Sequence, residues 1–334
     1  MVPFLFPRTQ KQRFSFLNIL TGSDLSSRRL PLVEMKSGKP GPTVWLTACV
    51  HGDEIGGVVV IQEILKLLRA HPLEKGSLFA FPLMNPIGFE AAARSTVLSK
   101  EDLNRSFPGN EQGTLAERIA EKIFSTITRT RPALVLDFHN DWQQSIPYAL
   151  IDPYPGQKQR DAYEKVKHFA EMSGLLMVNE REDAEDTAEL RKTLSGSLLI
   201  HGIPAVTFEL GGASFVGERH VADGVSSTLR ILMGLGMVKH MDSAPLSYPA
   251  PAEFHGKVLR YSHQPTASKS GIARFLAYPG KIVRAGEPVA RIYDVFGKPE
   301  ETLQAKKDAV VLGCADSSAA FPGMEFIAFA ELSS

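Results

Sequence analysis

Four short segments carry residue types suited to metal-assisted chemistry. In Ala48-Cys-Val-His51-Gly-Asp-Glu54-Ile-Gly-Gly57, an imidazole and a carboxylate stand three apart around a glycine. Both groups suit zinc at about 2.0–2.2 Å, and a tight turn at Gly52 would let the two side chains converge. Alone, the pair equally fits a surface histidine followed by a helix-N-terminal glutamate. The second segment, Ala133-Leu-Val-Leu-Asp137-Phe-His139-Asn140, is an apolar strand ending in another imidazole. If it shares a sheet with the first, His51, Glu54 and His139 form a two-histidine, one-carboxylate set with one position left for water, the ligand pattern of catalytic zinc rather than closed structural sites. Period-two alternation places Asp137 on the same side as His139, where it could orient the imidazole.

The third segment, Val206-Thr-Phe-Glu209-Leu-Gly-Gly212, delivers a carboxylate at the end of an apolar strand. Such a group is costly unless paired or used. Glu209 is read as a general base that takes a proton from the attacking water and passes it to a leaving nitrogen, with helix capping as the alternative role. The fourth, Glu101-Asp-Leu-Asn104-Arg105-Ser-Phe-Pro-Gly109 with Arg94 upstream, offers guanidinium groups that grip a carboxylate through two parallel hydrogen bonds. Asn104 adds a donor, and Arg105 could also polarise a carbonyl beside the metal. A loop with surface arginines is the plainer reading of this segment.

The elements that must position these residues are legible as alternation of strands and helices. Strands are expected at Thr43–Val50, Ser77–Leu83, Ala133–Phe138 and Ala205–Leu210, the pattern of βαβ units around a mainly parallel sheet. In such sheets, ligands collect beyond the carboxyl ends of strands, where His51, His139 and Glu209 all fall. Leu115, Ile119, Ile123 and Ile127 recur every four residues behind Thr114 and Glu117, which predicts an amphipathic helix opened by a capping box. Ile55–Leu68 and Ala222–Leu235 are further helical segments.

With 334 residues, 43% of them apolar, the chain has length for one large domain and one small one. The proline-rich stretch DSAPLSYPAP suggests the division: an α/β domain over 1–242, a linker over 243–251, and a β-rich domain over 252–334 punctuated by glycines. Lys+Arg and Asp+Glu both total 37, so no overall positive field draws in nucleic acid or an anionic membrane. No apolar run approaches the roughly 20 residues of a membrane helix. The two cysteines, Cys49 and Cys314, suit free thiols in a reducing compartment, and the start MVPFLFPRTQKQRF lacks a secretory h-region. A cytoplasmic, homo-oligomeric protein is expected.

Taken together, His51-x-x-Glu54, Arg94, Asp102-Leu-Asn104-Arg105-x-Phe107-Pro-Gly109, Asp137-x-His139 and Phe208-Glu209-Leu-Gly resemble the succinylglutamate desuccinylase/aspartoacylase family, which is related to the zinc carboxypeptidases. The resemblance covers roughly residues 40 to 330. It implies a phosphorylase/hydrolase-like mixed sheet with helices on both faces, followed by a small β domain. It also implies one zinc ion per chain on His51, Glu54 and His139, substrate-carboxylate contacts from Arg94, Asn104 and Arg105, and Glu209 as base. The implied reaction is hydrolysis of the amide bond in a small N-acyl amino acid, and the family includes enzymes acting on acetylated diaminobutyrate in ectoine breakdown. A carboxypeptidase acting on short peptides and a non-catalytic binding protein are the rival readings. The C-terminal domain resembles the barrel-sandwich hybrid of biotinyl and lipoyl carriers, but its turn Asp294-Val-Phe-Gly-Lys298-Pro-Glu lacks the contexts of a modified lysine.

His201, His220, His255 and His263 end no strand in a shared motif and are read as structural or solvated. Cys49 is read as packing rather than as a nucleophile, and Glu180–Lys192 as a solvated helix face or mobile loop.

Overall fold

Five of the six residues of Thr43–Ala48 are buried, which requires a strand covered on both faces. The computed structural model describes residues 11–21, 25, 27–180 and 184–332, and its central sheet supplies that cover. The strands are β1 (Gln12–Thr21), β2 (Ser27–Lys36), β3 (Thr43–Ala48), β4 (Ser77–Phe81), β5 (Leu134–His139), β6 (Gln144–Ser145), β7 (Tyr148–Ile151), β8 (Leu176–Asn179) and β9 (Ala205–Glu209). Beyond them come β10 (Val258–Ser262), β11 (Gly271–Phe275), β12 (Ile282–Val283), β13 (Pro288–Tyr293), β14 (Pro299–Gln304), β15 (Ala309–Cys314), β16 (Ala319–Ala320) and β17 (Ile327–Glu331). The helices are α1 (Gly56–Ala70), α2 (Pro86–Glu90), α3 (Leu115–Arg129), α4 (Arg160–Ser173), α5 (Ala184–Leu190), α6 (Leu194–Ile200) and α7 (Glu218–Gly234).

The main sheet runs in the order β1-β2-β4-β3-β5-β9-β7-β8-β10-β17-β15-β12, with β6 paired to β15. Its centre, β4-β3-β5-β9, is parallel, as the alternating pattern predicts. β7 then enters antiparallel to β9, so the sheet is mixed. One face is packed by α1, α4 and α7 through Val60, Val166 and Leu229, and the other by α3 and α6 through Ile123 and Leu198. Helices therefore cover both faces. The helix behind Thr114 is present with its reciprocal capping box: Glu117 N donates to Thr114 Oγ1, and Thr114 N donates to Glu117 Oε2.

The N-terminal hairpin β1/β2 and strands β7 and β8 were not among the expected strands. In β1, Phe14 and Phe16 are 64% and 63% exposed, so the alternation carries apolar residues on its solvent side and blurs the period. The C-terminal strands divide between two sheets: β10, β12, β15 and β17 extend the main sheet, while β14-β13-β11-β16 form a separate four-stranded sheet. Val289, Ile292 and Leu303 from this small sheet pack with Val311, Phe326 and Phe329 as a distinct core. Among the described residues, no helix is long and apolar enough to cross a membrane.

Candidate metal centre and its cavity

Parallel pairing of β3 with β5 sets Ala48 beside Phe138, so the turn after β3 and the last residue of β5 meet at one sheet edge. Immediately after β3, Cys49 adopts a left-handed φ of 56°, reversing the chain. Gly52 then passes so close to α2 that a Cβ on it would lie 2.0 Å from the Gly88 carbonyl carbon. This tight passage brings Glu54 back onto His51. His51, Glu54 and His139 are 3%, 4% and 5% exposed, and a ligand atom from each lies within 4.8 Å of the others.

The inner nitrogens face one carboxylate. His51 Nδ1 is 2.6 Å from Glu54 Oε1 and His139 Nδ1 is 2.9 Å from Glu54 Oε2, while Asn140 N donates to Oε2 at 3.1 Å. The outer nitrogens face carboxylates too. His139 Nε2 is 3.0 Å from Asp137 Oδ2, whose Oδ1 accepts from Thr47 Oγ1 at 2.7 Å, and His51 Nε2 lies 3.2 Å from Asp102 Oδ1. The Asp137 carboxylate behind His139 fixes that ring's orientation, the support commonly found behind metal-ligating histidines, and Asp102 approaches His51 from the corresponding side. Two nitrogens and a carboxylate converging in a buried pocket fit a divalent cation such as zinc. Burial pushes the Glu54 carboxyl upward, but the His51 and His139 imidazoles outweigh it and hold the group below the ordinary carboxylate range. For His139, burial works downward and the carboxylates of Asp137 and Glu54 overcome it, so its pKa is raised.

Glu209 ends β9 directly beside His139 in the parallel register, and Tyr148 of β7 faces it from the other side. Directly opposed residues share a sheet face, so the three side chains form a row. Burial first, then the nearby charges of Glu54 and Asp141, raise the Glu209 carboxyl well above its ordinary value. Its Oε2 is buried without a hydrogen-bond partner. A carboxyl whose proton affinity is raised in this way is suited to accept a proton and pass it on.

The cluster opens into a cavity of about 400 Å³, which also includes Arg94, Asn104, Arg105, Tyr148, Asp152 and Glu180 in its wall. Every residue that the sequence pattern nominated is therefore gathered at one site, but with unequal freedom. Arg94 is held against the cluster, 3.4 Å from Glu54 Oε1 and 3.1 Å from Asp102 Oδ2. Asn104 Oδ1 accepts from the backbone N of Leu194 at the start of α6. The Arg105 guanidinium donates to the carbonyl of Asn104, at 2.9 Å, and makes no ion pair among the described residues.

Several groups were not anticipated. Asp102 lies inside the motif that supplies Asn104 and Arg105, and its role beside His51 emerges only when the loop folds back on the turn after β3. Asp152 and Glu180 follow the parallel neighbours β7 and β8, whose pairing of Ile151 with Asn179 sets them side by side. Burial, with the nearby Glu180 charge, raises the Asp152 carboxyl to about 7 despite a hydrogen bond from Ser195. His263, which ends no strand motif in the sequence, lines the cavity together with Tyr261 of β10. His201 and His255 serve local structure, bonded to the carbonyls of Ser197 and Ala250. Cys49 is fully buried, and burial, with Glu54 and Asp53 nearby, pushes its thiol up to about 12, which removes thiolate chemistry. The charged run from Glu180 forms α5 from Ala184 onward; its residues 181–183 lie outside the described residues.

Residues 40–235 match the succinylglutamate desuccinylase/aspartoacylase catalytic domain. The chain is 28% identical over 290 residues to the N-alpha-acetyl-L-2,4-diaminobutyric acid deacetylase of Halomonas elongata, covering 84% of this chain and 80% of that one. Among solved structures, the product-bound ectoine utilization protein EutE (DoeB) of Ruegeria pomeroyi superposes with a TM-score of 0.78 at 22% identity, covering 99% of this chain and 98% of that one. An aspartoacylase family protein of Mesorhizobium loti gives 0.77 at 19% identity with the same coverage. At these identities, the two structures establish a shared fold. With more than half of its length matched by the catalytic domain, and with the His51, Glu54 and His139 cluster inside the match, this chain belongs to the succinylglutamate desuccinylase/aspartoacylase family.

Proposed function

We propose that this metal-dependent deacylase-type hydrolase uses a single zinc ion to cleave the amide bond of a small N-acyl amino acid. The observation that carries the reading is the buried convergence of His51, Glu54 and His139 beside the unpartnered Glu209 Oε2. A divalent cation held by the three ligands would polarise the amide carbonyl and acidify an attacking water. The remaining work falls to the chain itself. Asp137 and Asp102 orient the two imidazoles. Glu209 takes the proton of the attacking water on Oε2 and returns it to the leaving nitrogen, which its raised pKa suits. Arg105, free of ion pairs among the described residues, holds the substrate carboxylate together with Asn104. Arg94 braces Glu54 and Asp102 and supplies a second positive charge at the cavity wall.

The Halomonas relative is named for an acylated diamino acid. The side-by-side carboxyls of Asp152 and Glu180 support a substrate of that type, with a cationic side chain. We read the C-terminal strands as a barrel-sandwich-like domain over 252–334 joined by a linker at 243–251 to the hydrolase domain over 1–242. The two buried free cysteines support a cytoplasmic setting.

The test is a zinc-loaded panel of N-acetyl, N-succinyl and N-formyl amino acids with neutral, acidic and cationic side chains, plus short peptides, with release of free amine measured. Hydrolysis of acylated amino acids, strongest for cationic ones, is expected. Turnover confined to peptides would replace this reading with a carboxypeptidase.

A further inference from the structure

A second cavity, of about 470 Å³, lies between α4, α7, the 243–251 segment and the chain entering β10. Two cations line it, Arg230 from α7 and Lys257 from the residue before β10. The Arg230 Nε is buried without a hydrogen-bond partner. Neither cation forms an ion pair among the described residues, although the carboxylate of Glu171 borders the same space. Arg230 is half-buried, and its enclosed Nε is a donor left without an acceptor, which is costly. The remaining wall includes Met177, Leu246 and Phe254, and Met177 and Phe254 are 6% and 2% exposed. A water molecule would satisfy Nε alone; an anion with an apolar body would in addition meet the exposed Lys257 ammonium and the apolar wall.

We propose that this seam binds a small organic carboxylate, with its charged end held by Arg230 and Lys257 and its hydrocarbon body against Met177, Leu246 and Phe254. The planar fork of Arg230 matches a carboxylate through two parallel donors, and Lys257 adds a point charge. The site is independent of the reading given to the metal centre. Its occupant ties α7 to the start of β10, the strand that carries Tyr261 into the catalytic cavity.

The probe is hexanoate, titrated calorimetrically into the zinc-loaded full chain, with inorganic phosphate and hexylamine as comparators. Saturable hexanoate binding is expected, with a dissociation constant at least about tenfold weaker in Arg230→Gln, the scale of one lost charge-assisted contact. Lys257→Gln should weaken it as well. Binding should persist in Arg105→Gln, whose anion contact in the catalytic cavity is removed. Absence of saturable binding, equal affinity in Arg230→Gln, or phosphate or hexylamine binding as tightly as hexanoate would overturn the assignment. If Arg230→Gln fails to fold, the exposed Lys257→Gln decides, and unchanged affinity there also overturns it.

Discussion

His139 and Glu209 stand side by side as the last residues of two adjacent parallel strands, one at the metal cluster and the other with an unpartnered carboxyl oxygen. The register separates two roles that a single carboxylate-rich cluster would otherwise blur. Glu54 sits between both imidazoles and is held ionised, whereas Glu209 sits one strand over and is pushed toward its protonated form. Glu209→Gln keeps the shape and removes the base. It should lower kcat by about 10²–10⁴-fold, the range of general acid–base catalysis, with zinc content unchanged. Near-normal turnover in this variant would sink the assignment.

Metal retention should depend on the outer carboxylates as well as on the ligands. His139→Ala removes a ligand, and its zinc content should collapse. Asp137→Asn leaves the cluster in place but replaces the charge behind His139 Nε2, where the contact is 3.0 Å. A loss of about 10–100-fold in zinc affinity is expected, measured by competition with a chelator. Asp102→Asn should act in the same direction through His51. An unchanged affinity in both asparagine variants would reduce these contacts to packing.

The buried carboxyl of Asp152 makes stability depend on pH. Its folded value of about 7 lies above the ordinary 3.8, so the native state binds the proton more tightly than the unfolded chain. The favourable contribution is complete below the ordinary value and is lost as pH rises through about 7. Asp152→Asn mimics the protonated form permanently. Its melting temperature should exceed that of the parent above pH 7, with the gain shrinking toward pH 5. A pH-independent difference between the two proteins would show that Asp152 does not titrate in this window.

The two thiols should be silent in the native protein. Burial raises Cys49 to about 12 and Cys314 to about 11, and both side chains are enclosed. Iodoacetamide at pH 8 should leave the folded chain unmodified by mass spectrometry and should label both cysteines in denaturant. Rapid native labelling of Cys49 would show that the turn after β3 opens readily.

The metal cluster and Glu209 were legible because each lies where an apolar run ends in a polar group, and a parallel sheet sends all such ends to one edge. The capping box at Thr114 was equally local, a spacing of three residues. Asp152 and Glu180 were hidden because their meeting depends on β7 entering antiparallel beside β9 and then pairing with β8, a strand order that neither segment encodes by itself. Asp102 stands three residues from Arg105 in sequence, and only the return of its loop toward the turn after β3 brings it to His51. The proline-rich stretch near 243–251 marks a change of composition, but it does not reveal that β10 goes on to pair with β8 and so extends the main sheet.

Gly57 offers a test of how closely α1 must approach the strands that carry the cluster. A Cβ built there would stand 2.4 Å from Phe138 Cβ and 3.0 Å from Ala48 Cβ. Alanine is favoured over glycine in a helix by about 1 kcal/mol, so propensity alone predicts stabilisation by Gly57→Ala. The opposing atoms are Cβ carbons fixed to β5 and the end of β3, and no rotamer change moves them aside. Overpacking of this kind costs about 1–3 kcal/mol, so the clash should win and the variant should unfold at lower denaturant concentration. Because Phe138 precedes His139, displacement of α1 should also loosen zinc binding. A Gly57→Ala protein at least as stable as the parent, with unaltered zinc affinity, would show that α1 can back away without disturbing the metal centre.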